Sequence, residues 1–164
     1  YWSRNQLDNL HPQKGKCDVK SIVTETFDLL KPNADKKEIL LEMDLNGAKE
    51  MLADKNMMKT VLRNLTSNAI QFTPKGGKIT LATGEENGFT QLLVKDTGLG
   101  ISKENIDKLF NKNSNFTTAG TESEKGSGLG LKLTYEFVKQ HNGDINVESE
   151  EGKGSVFTVS IPKK

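Results

Sequence analysis

Cysteine is almost missing from this sequence: Cys17 stands alone in 164 residues. One thiol forms neither an internal disulfide nor a cysteine-rich zinc site, so neither can staple this fold. No nucleophile's partner set surrounds Cys17, which reads as a small apolar residue near a strand. Net charge is nearly missing too. The 23 Lys plus Arg almost cancel the 22 Asp plus Glu. That balance excludes a nucleic-acid-binding face driven by bulk charge, while leaving room for a local basic pocket that holds a small anion. No apolar run approaches the roughly 20 residues that cross a bilayer, and no signal peptide opens the chain. A reduced, cytoplasmic setting is expected. The first residues, Tyr1-Trp2-Ser3-Arg4, lack an initiator methionine. The chain therefore reads as a piece of a longer protein, whose membrane anchor, where it has one, is expected elsewhere.

What is present amounts to one domain. The length suits a single core, and 34% apolar residues supply it. Trp2, Gln6, Leu7 and Leu10 suggest the end of a helix over residues 1–15, so 16–164 is taken as the domain proper. Asp18 reads as an N-cap before a helix carrying Ile22, Val23, Thr26, Phe27 and Leu30, stopped at Lys31-Pro32-Asn33. Alternation over 37–45 predicts a strand, and Met51-Leu52 a short one. Asp54 caps the expected longest helix, 55–72, with Met57, Met58, Val61, Leu62, Leu65, Ala69 and Phe72 on one face. Residues 78–85 and 89–95 read as a hairpin around Asn87-Gly88. Ser102 caps a short helix to about Phe110. The polar residues 111–125 read as a mobile loop. A helix over 126–141 and a closing hairpin of 144–150 and 155–161 complete the chain. No internal repeat is visible. Three main helices on one face of a mixed sheet is the expected α+β layering.

Three stations carry chemistry. Asn64 and Asn68 lie four apart on one helical face, where a carboxamide is either hydrogen-bonded or turned to a ligand such as Mg²⁺. Asp96-Thr97-Gly98-Leu99-Gly100-Ile101 follows a strand. Its glycines admit a flat ligand closely, and Asp96 can accept a hydrogen bond from an exocyclic amine. Gly126-Ser127-Gly128-Leu129-Gly130-Leu131 exposes backbone N–H groups at a helix start, a phosphate-binding arrangement. It is neither a Rossmann fingerprint nor a P-loop. Alone, each has a bland reading: satisfied helix amides, an Asx turn, a glycine cluster. In sequence they supply a metal ligand, a base reader and a phosphate cradle, with the polar loop placed to act as a lid.

The three stations resemble the N, G1 and G2 boxes of the histidine-kinase catalytic domain, within the wider group of gyrase, Hsp90 and MutL. Asp107-Lys108-Leu109-Phe110 with Phe116-Thr117-Thr118 resembles the F box. Gly143-Asp144-Ile145 and residues 148–157 resemble the closing hairpin, and Trp2-Ser3-Arg4 the end of the dimerisation helix. The resemblance implies a two-layer α/β sandwich of the Bergerat type, mostly antiparallel, with an ATP lid. It implies that Asn68 holds Mg²⁺ and Asn64 lies beside the phosphates, these two being the catalytic pair. It implies that Asp96 reads the adenine amine and that Gly98 and Gly100 shape the adenine pocket. Gly126, Gly128 and Gly130 would line the triphosphate, with Phe110 anchoring the lid. Phe72, Ile101, Thr118, Lys125, Leu129 and Leu131 complete the implied ATP site. One position departs from the family. Gln71 stands where a phosphate-contacting lysine or arginine is usual, with Lys75, Lys112 or Lys125 as substitutes.

The resemblance further implies phosphoryl transfer from MgATP to a histidine, then to an aspartate on a response-regulator receiver domain. His11 and His141 lack the acceptor's context and read as surface or cap residues. The acceptor is therefore expected on a dimerisation domain absent from this chain. A homodimeric parent and a monomeric fragment follow, with no nucleic-acid partner. Other readings remain at this point: an ATP-driven clamp, a non-catalytic nucleotide-binding module, and a serine-directed kinase of the same fold. The clamp enzymes carry glutamate where Asn64 stands here, and asparagine cannot take a proton from water.

Overall fold

The computed structural model describes residues 11–101 and 128–163. The expected lead-in helix falls mostly outside them. Residues 11–14 have no regular structure, and Gly15 already begins a strand, β1 (Gly15–Asp18). Only Cys17 of that strand is buried, so no alternation announced it. α1 (Val19–Lys36) follows, its first turn closed by the Asp18 carboxylate, which accepts the Lys20 N–H at 3.1 Å.

α1 does not stop at Lys31-Pro32-Asn33 but continues through Pro32 to Lys36. Proline removes one helical amide and crowds the carbonyl four residues back. Here Asp28 and Pro32 both face water, and continuing the helix buries Ala34 completely. β2 (Leu40–Asp44) is correspondingly shorter than expected. β3 (Glu50–Ala53) pairs antiparallel with β1, placing Cys17 opposite Met51.

α2 (Lys55–Phe72) has the expected bounds, with the Asp54 carboxylate accepting the Met57 N–H at 3.1 Å. At 18 residues it equals α1 rather than exceeding it. Met57, Met58, Val61, Leu62, Leu65, Ala69 and Ile70 form its buried face. Each large side chain on that face stabilises the fold by about 1.5–3 kcal/mol on burial.

β4 (Lys78–Glu86) and β5 (Phe89–Asp96) form the expected hairpin. Asn87 and Gly88 both have positive φ, 51° and 84°, as a two-residue type I′ turn requires. α3 (Gly128–Gln140) and the hairpin of β6 (Asp144–Glu150) and β7 (Gly154–Pro162) follow. The five-stranded sheet runs β2-β4-β5-β7-β6, parallel only at β2–β4. The three helices form the second layer of the α/β sandwich. The core lies between the layers, with Ile79, Leu81, Leu92, Val94, Phe157, Val159 and Ile161 contributed by the sheet. The expected helix from Ser102 and the loop 111–125 lie outside the described residues.

Candidate functional site

β5 ends at Asp96, opposite Ser155 of the neighbouring strand β7. One carboxylate oxygen, Oδ1, accepts the backbone N–H of Gly98 at 2.9 Å and that of Ser155 at 3.2 Å. The other oxygen has no partner among the described residues. Burial pushes the carboxyl pKa above its ordinary value, and the Gly98 and Ser155 amides pull it part of the way back.

The loop beyond Asp96 is fixed from both sides. Leu99 N–H donates to the carbonyl of Phe72, the last residue of α2, at 3.0 Å. A side chain at Gly98 would collide with that same carbonyl. Gly100 has φ +73°, and a Cβ there would collide with the carbonyl of Glu150, so glycine is required on both counts. From the β6–β7 end, Gly152 N–H donates to Leu99 O at 2.7 Å. The Ser149 hydroxyl accepts the Ile101 N–H at 2.7 Å.

Asn64 and Asn68 share a helix face but differ in their engagements. The Asn64 amide reaches the buried Thr134 hydroxyl on α3, at a long 3.4 Å. Asn68 is partly buried and its side chain makes no hydrogen bond among the described residues. Its carboxamide faces a small cavity of about 40 Å³ lined by Asn68, Ala69, Phe72, Asp96, Gly100, Ile101, Leu131, Ser155 and Phe157. Six of these nine are residues the sequence singled out, drawn from three separate stations. Gly98 supports the wall through its contact with Phe72.

Ala69, Ser155 and Phe157 were missed. The alternation of β7 marks Ser155 and Phe157 as inward residues. Only the strand order, which sets Ser155 beside Asp96 and Phe157 beside Val94, shows that inward means towards this cavity. Gly128 opens α3, with Leu129 and Gly130 in its first turn. Phe110, Thr118, Lys125 and Gly126 lie outside the described residues.

A carboxylate oxygen and a carboxamide, both uncommitted among the described residues, converge with apolar walls from α2, β5, β7 and α3. Residues 53–164 match the family of histidine kinase-, DNA gyrase B- and HSP90-like ATPases. The chain belongs to this family. Within it, the chain is 33% identical over 161 residues to the sensor-like histidine kinase SenX3 of Mycolicibacterium smegmatis, covering 98% of this chain and 42% of that protein. It thus spans less than half the length of that relative. The nucleotide-free catalytic domain of histidine kinase ThkA has the same fold, with TM-score 0.79 and 27% identity over 92% of this chain and 96% of that one. ThkA in complex with the response regulator TrrA matches with TM-score 0.77 and 25% identity, over 93% of this chain and 42% of that one.

One further position corrects the sequence reading of this ATPase-family domain. His141 is not at the surface: it is 1% exposed. Its Nε2 accepts the Asp54 N–H at 2.9 Å, and its Nδ1 lies 2.7 Å from the Phe137 carbonyl, to which it donates. A ring nitrogen that accepts an N–H carries no proton, so the ring is neutral, and burial holds its pKa below the ordinary value. Lys75, one of the three substitutes named for Gln71, is exposed and pairs with the equally exposed Glu38 at 2.6 Å. Lys112 and Lys125 lie outside the described residues.

Proposed function

We propose that this chain is the ATP-binding catalytic part of a sensor histidine kinase, presenting the γ-phosphoryl group to a histidine on a separate dimerisation domain. The observation that carries the reading is the Asp96 carboxylate. It is held by two backbone amides, with one oxygen left over among the described residues, in the lining of an apolar cavity. That oxygen suits the exocyclic amine of adenine, and the cavity walls suit its faces. Guanine offers a carbonyl there instead, so adenine nucleotides are favoured.

Asn68 fits a metal that arrives with the nucleotide. Among the described residues no group of three or more His, Cys, Asp or Glu forms a self-sufficient metal cage. Magnesium commonly completes its shell with substrate phosphates and water around one or two protein oxygens. The uncommitted Asn68 oxygen is one such ligand. When bound, magnesium supplies charge neutralisation on the phosphates. The chain's own part is to hold the base through Asp96, fix the cavity walls and keep Asn64 and Asn68 on the phosphate side. No general base is needed on this chain, because the imidazole nucleophile comes from the acceptor domain. In-line positioning then carries most of the catalysis.

The partners of this reading are the parent's dimerisation domain and, downstream, the receiver aspartate of a response regulator. Its test uses the acceptor domain of the parent protein, purified separately and mixed with this chain and γ-labelled ATP. Acid-labile, alkali-stable label on a histidine of the acceptor domain is expected. ATP turnover without transfer would favour the clamp ATPase, and nucleotide binding without either would make the chain a non-catalytic module.

A further inference from the structure

The wall of the cavity formed by the end of α2 is held in place by a side chain from outside the motifs. Lys37 follows α1, and its backbone position is fixed. Glu38 N–H donates to Asp35 O at 2.9 Å and Ile39 N–H to Ala34 O at 2.8 Å, the double bond pattern of a Schellman stop. Glu38 sits at φ 58°, the left-handed position of that stop. The connection is then sewn to the α2–β4 turn, with Gly76 N–H on Glu38 O and Leu40 N–H on Gly77 O, both at 3.0 Å.

From this anchored point the Lys37 side chain runs inward. The residue is only 9% exposed. Its ammonium donates to the carbonyls of Ile70 at 2.9 Å and Gln71 at 3.0 Å. Both belong to the last turn of α2, whose carbonyls carry the negative end of the helix dipole, and that of Ile70 also accepts the Thr73 N–H at a long 3.4 Å. The next carbonyl, that of Phe72, holds the Leu99 N–H and so the loop bearing Asp96 and Gly100. Ala69 and Asn68, one residue and two residues before Ile70, line the cavity, as does Phe72 itself.

We infer that Lys37 is a positioning residue for the nucleotide site. It fixes the last turn of α2 so that Asn68, Phe72 and, through Phe72, the Asp96 loop keep one arrangement. The inference rests on the nucleotide-site reading above and adds a residue that none of the three stations contains. Neutralising Lys37 takes the charged donor from the buried Ile70 carbonyl and the partly buried Gln71 carbonyl, and the cheapest remedy is for the last turn to unwind towards water. The cavity wall would move with it.

The test compares Lys37→Met, close in volume, with Lys37→Arg and with Leu30→Ala, a core variant about two turns earlier on α1. Two readouts are taken: ADP affinity, and amide exchange of Thr73 and Leu99 in the nucleotide-free chain. Lys37→Met is expected to weaken ADP binding about tenfold, less than the roughly 100-fold that a misplacement of about 1 Å can cost, and to speed exchange at both amides. Lys37→Arg should recover most of the affinity. Leu30→Ala, at comparable loss of melting temperature, should leave ADP affinity at the parent's value. The inference is overturned if either readout of Lys37→Met stays at the parent's value, if Lys37→Arg recovers nothing, or if Leu30→Ala weakens binding equally. Failure of the parent chain to bind ADP would overturn the nucleotide-site reading itself, a result distinct from a loss confined to the variant.

Discussion

At Asp96, burial and hydrogen bonding act in opposite directions, and burial prevails. The carboxylate form is the one that accepts from an amine. Nucleotide affinity should therefore fall as pH drops through the raised pKa, which lies above the ordinary carboxylate value of about 3.9. The sign for stability is opposite. A folded-state pKa above the unfolded one makes ionisation costly, so this carboxyl's contribution is greatest in acid and is lost as pH rises through the raised pKa. Asp96→Asn should thus weaken ATP binding by about 1–3 kcal/mol and flatten its acid dependence, yet melt no lower than the parent at neutral pH. Calorimetric titration across pH and thermal melts separate the two effects. At Asn68 the matching prediction is that alanine abolishes the magnesium enhancement of ATP binding without altering the fold. Equal enhancement in variant and parent would contradict the metal assignment. Asn68, Asp96 and Gly100 were legible in the sequence because their residue types are uncommon in their settings, whereas Phe72, Ile101 and Leu131 came only through the resemblance to histidine-kinase catalytic domains. An amide on an apolar helix face and an acid before two glycines both ask for an explanation. Ala69 and Phe157 asked for none, since an apolar residue facing inward is simply core until the strand order is known.

Among elements, α2 carries the site and is held at both ends by buried polar side chains from elsewhere: His141 at its start and Lys37 at its finish. Neither was legible as such. The sequence shows a histidine after a helix, and only the packing of α3 against α2 buries it over the Asp54 amide. Burial is the largest influence on the ring and lowers its pKa, Lys14 lowers it further, and the Phe137 carbonyl and the Asp54 carboxylate pull it only part of the way back. A lowered folded-state pKa gives stability that is present above the unfolded value of about 6.5 and lost as pH falls towards the folded one. The melting temperature of the parent should therefore drop between neutral and mildly acid pH, and that slope should be shallower in His141→Gln. Identical slopes would show that His141 does not titrate in that range. α1 offers a second measure of how tertiary packing overrides local rules. Proline within a helix costs about 3 kcal/mol, offset by about 0.4–1 kcal/mol from its restriction of the unfolded chain. Pro32→Ala should then stabilise the domain by about 1–2 kcal/mol in chemical denaturation, allowing for the exposed setting of the lost bond. The hairpins were legible because Asn87-Gly88 states its turn type outright; β1 was not, because a four-residue strand with one inward side chain has no period.

For the molecule as a whole, the described residues form one sheet-and-helix sandwich with a single kind of chemistry at one end of β5 and β7. None of the described helices is long and apolar enough to cross a membrane. Both rings of the histidine pair are poor acceptors: His141 is buried with both nitrogens engaged, and His11 precedes Pro12. The chain alone, incubated with γ-labelled ATP, should therefore acquire no acid-labile label. The central claim is that the cavity between the end of α2 and the Asp96 loop takes an adenine nucleotide. Its most direct measurement is a titration of the isotopically labelled chain with ATP, ADP and GTP in magnesium, followed by backbone amide shifts. The account predicts saturable shifts at Asn68, Ala69, Phe72, Gly100 and Ile101 with ATP and ADP, and little change with GTP at the same concentrations. Shifts confined to the polar groove between α1 and α2 around Glu25, Lys59 and Arg63, or equal responses to GTP and ATP, would contradict it.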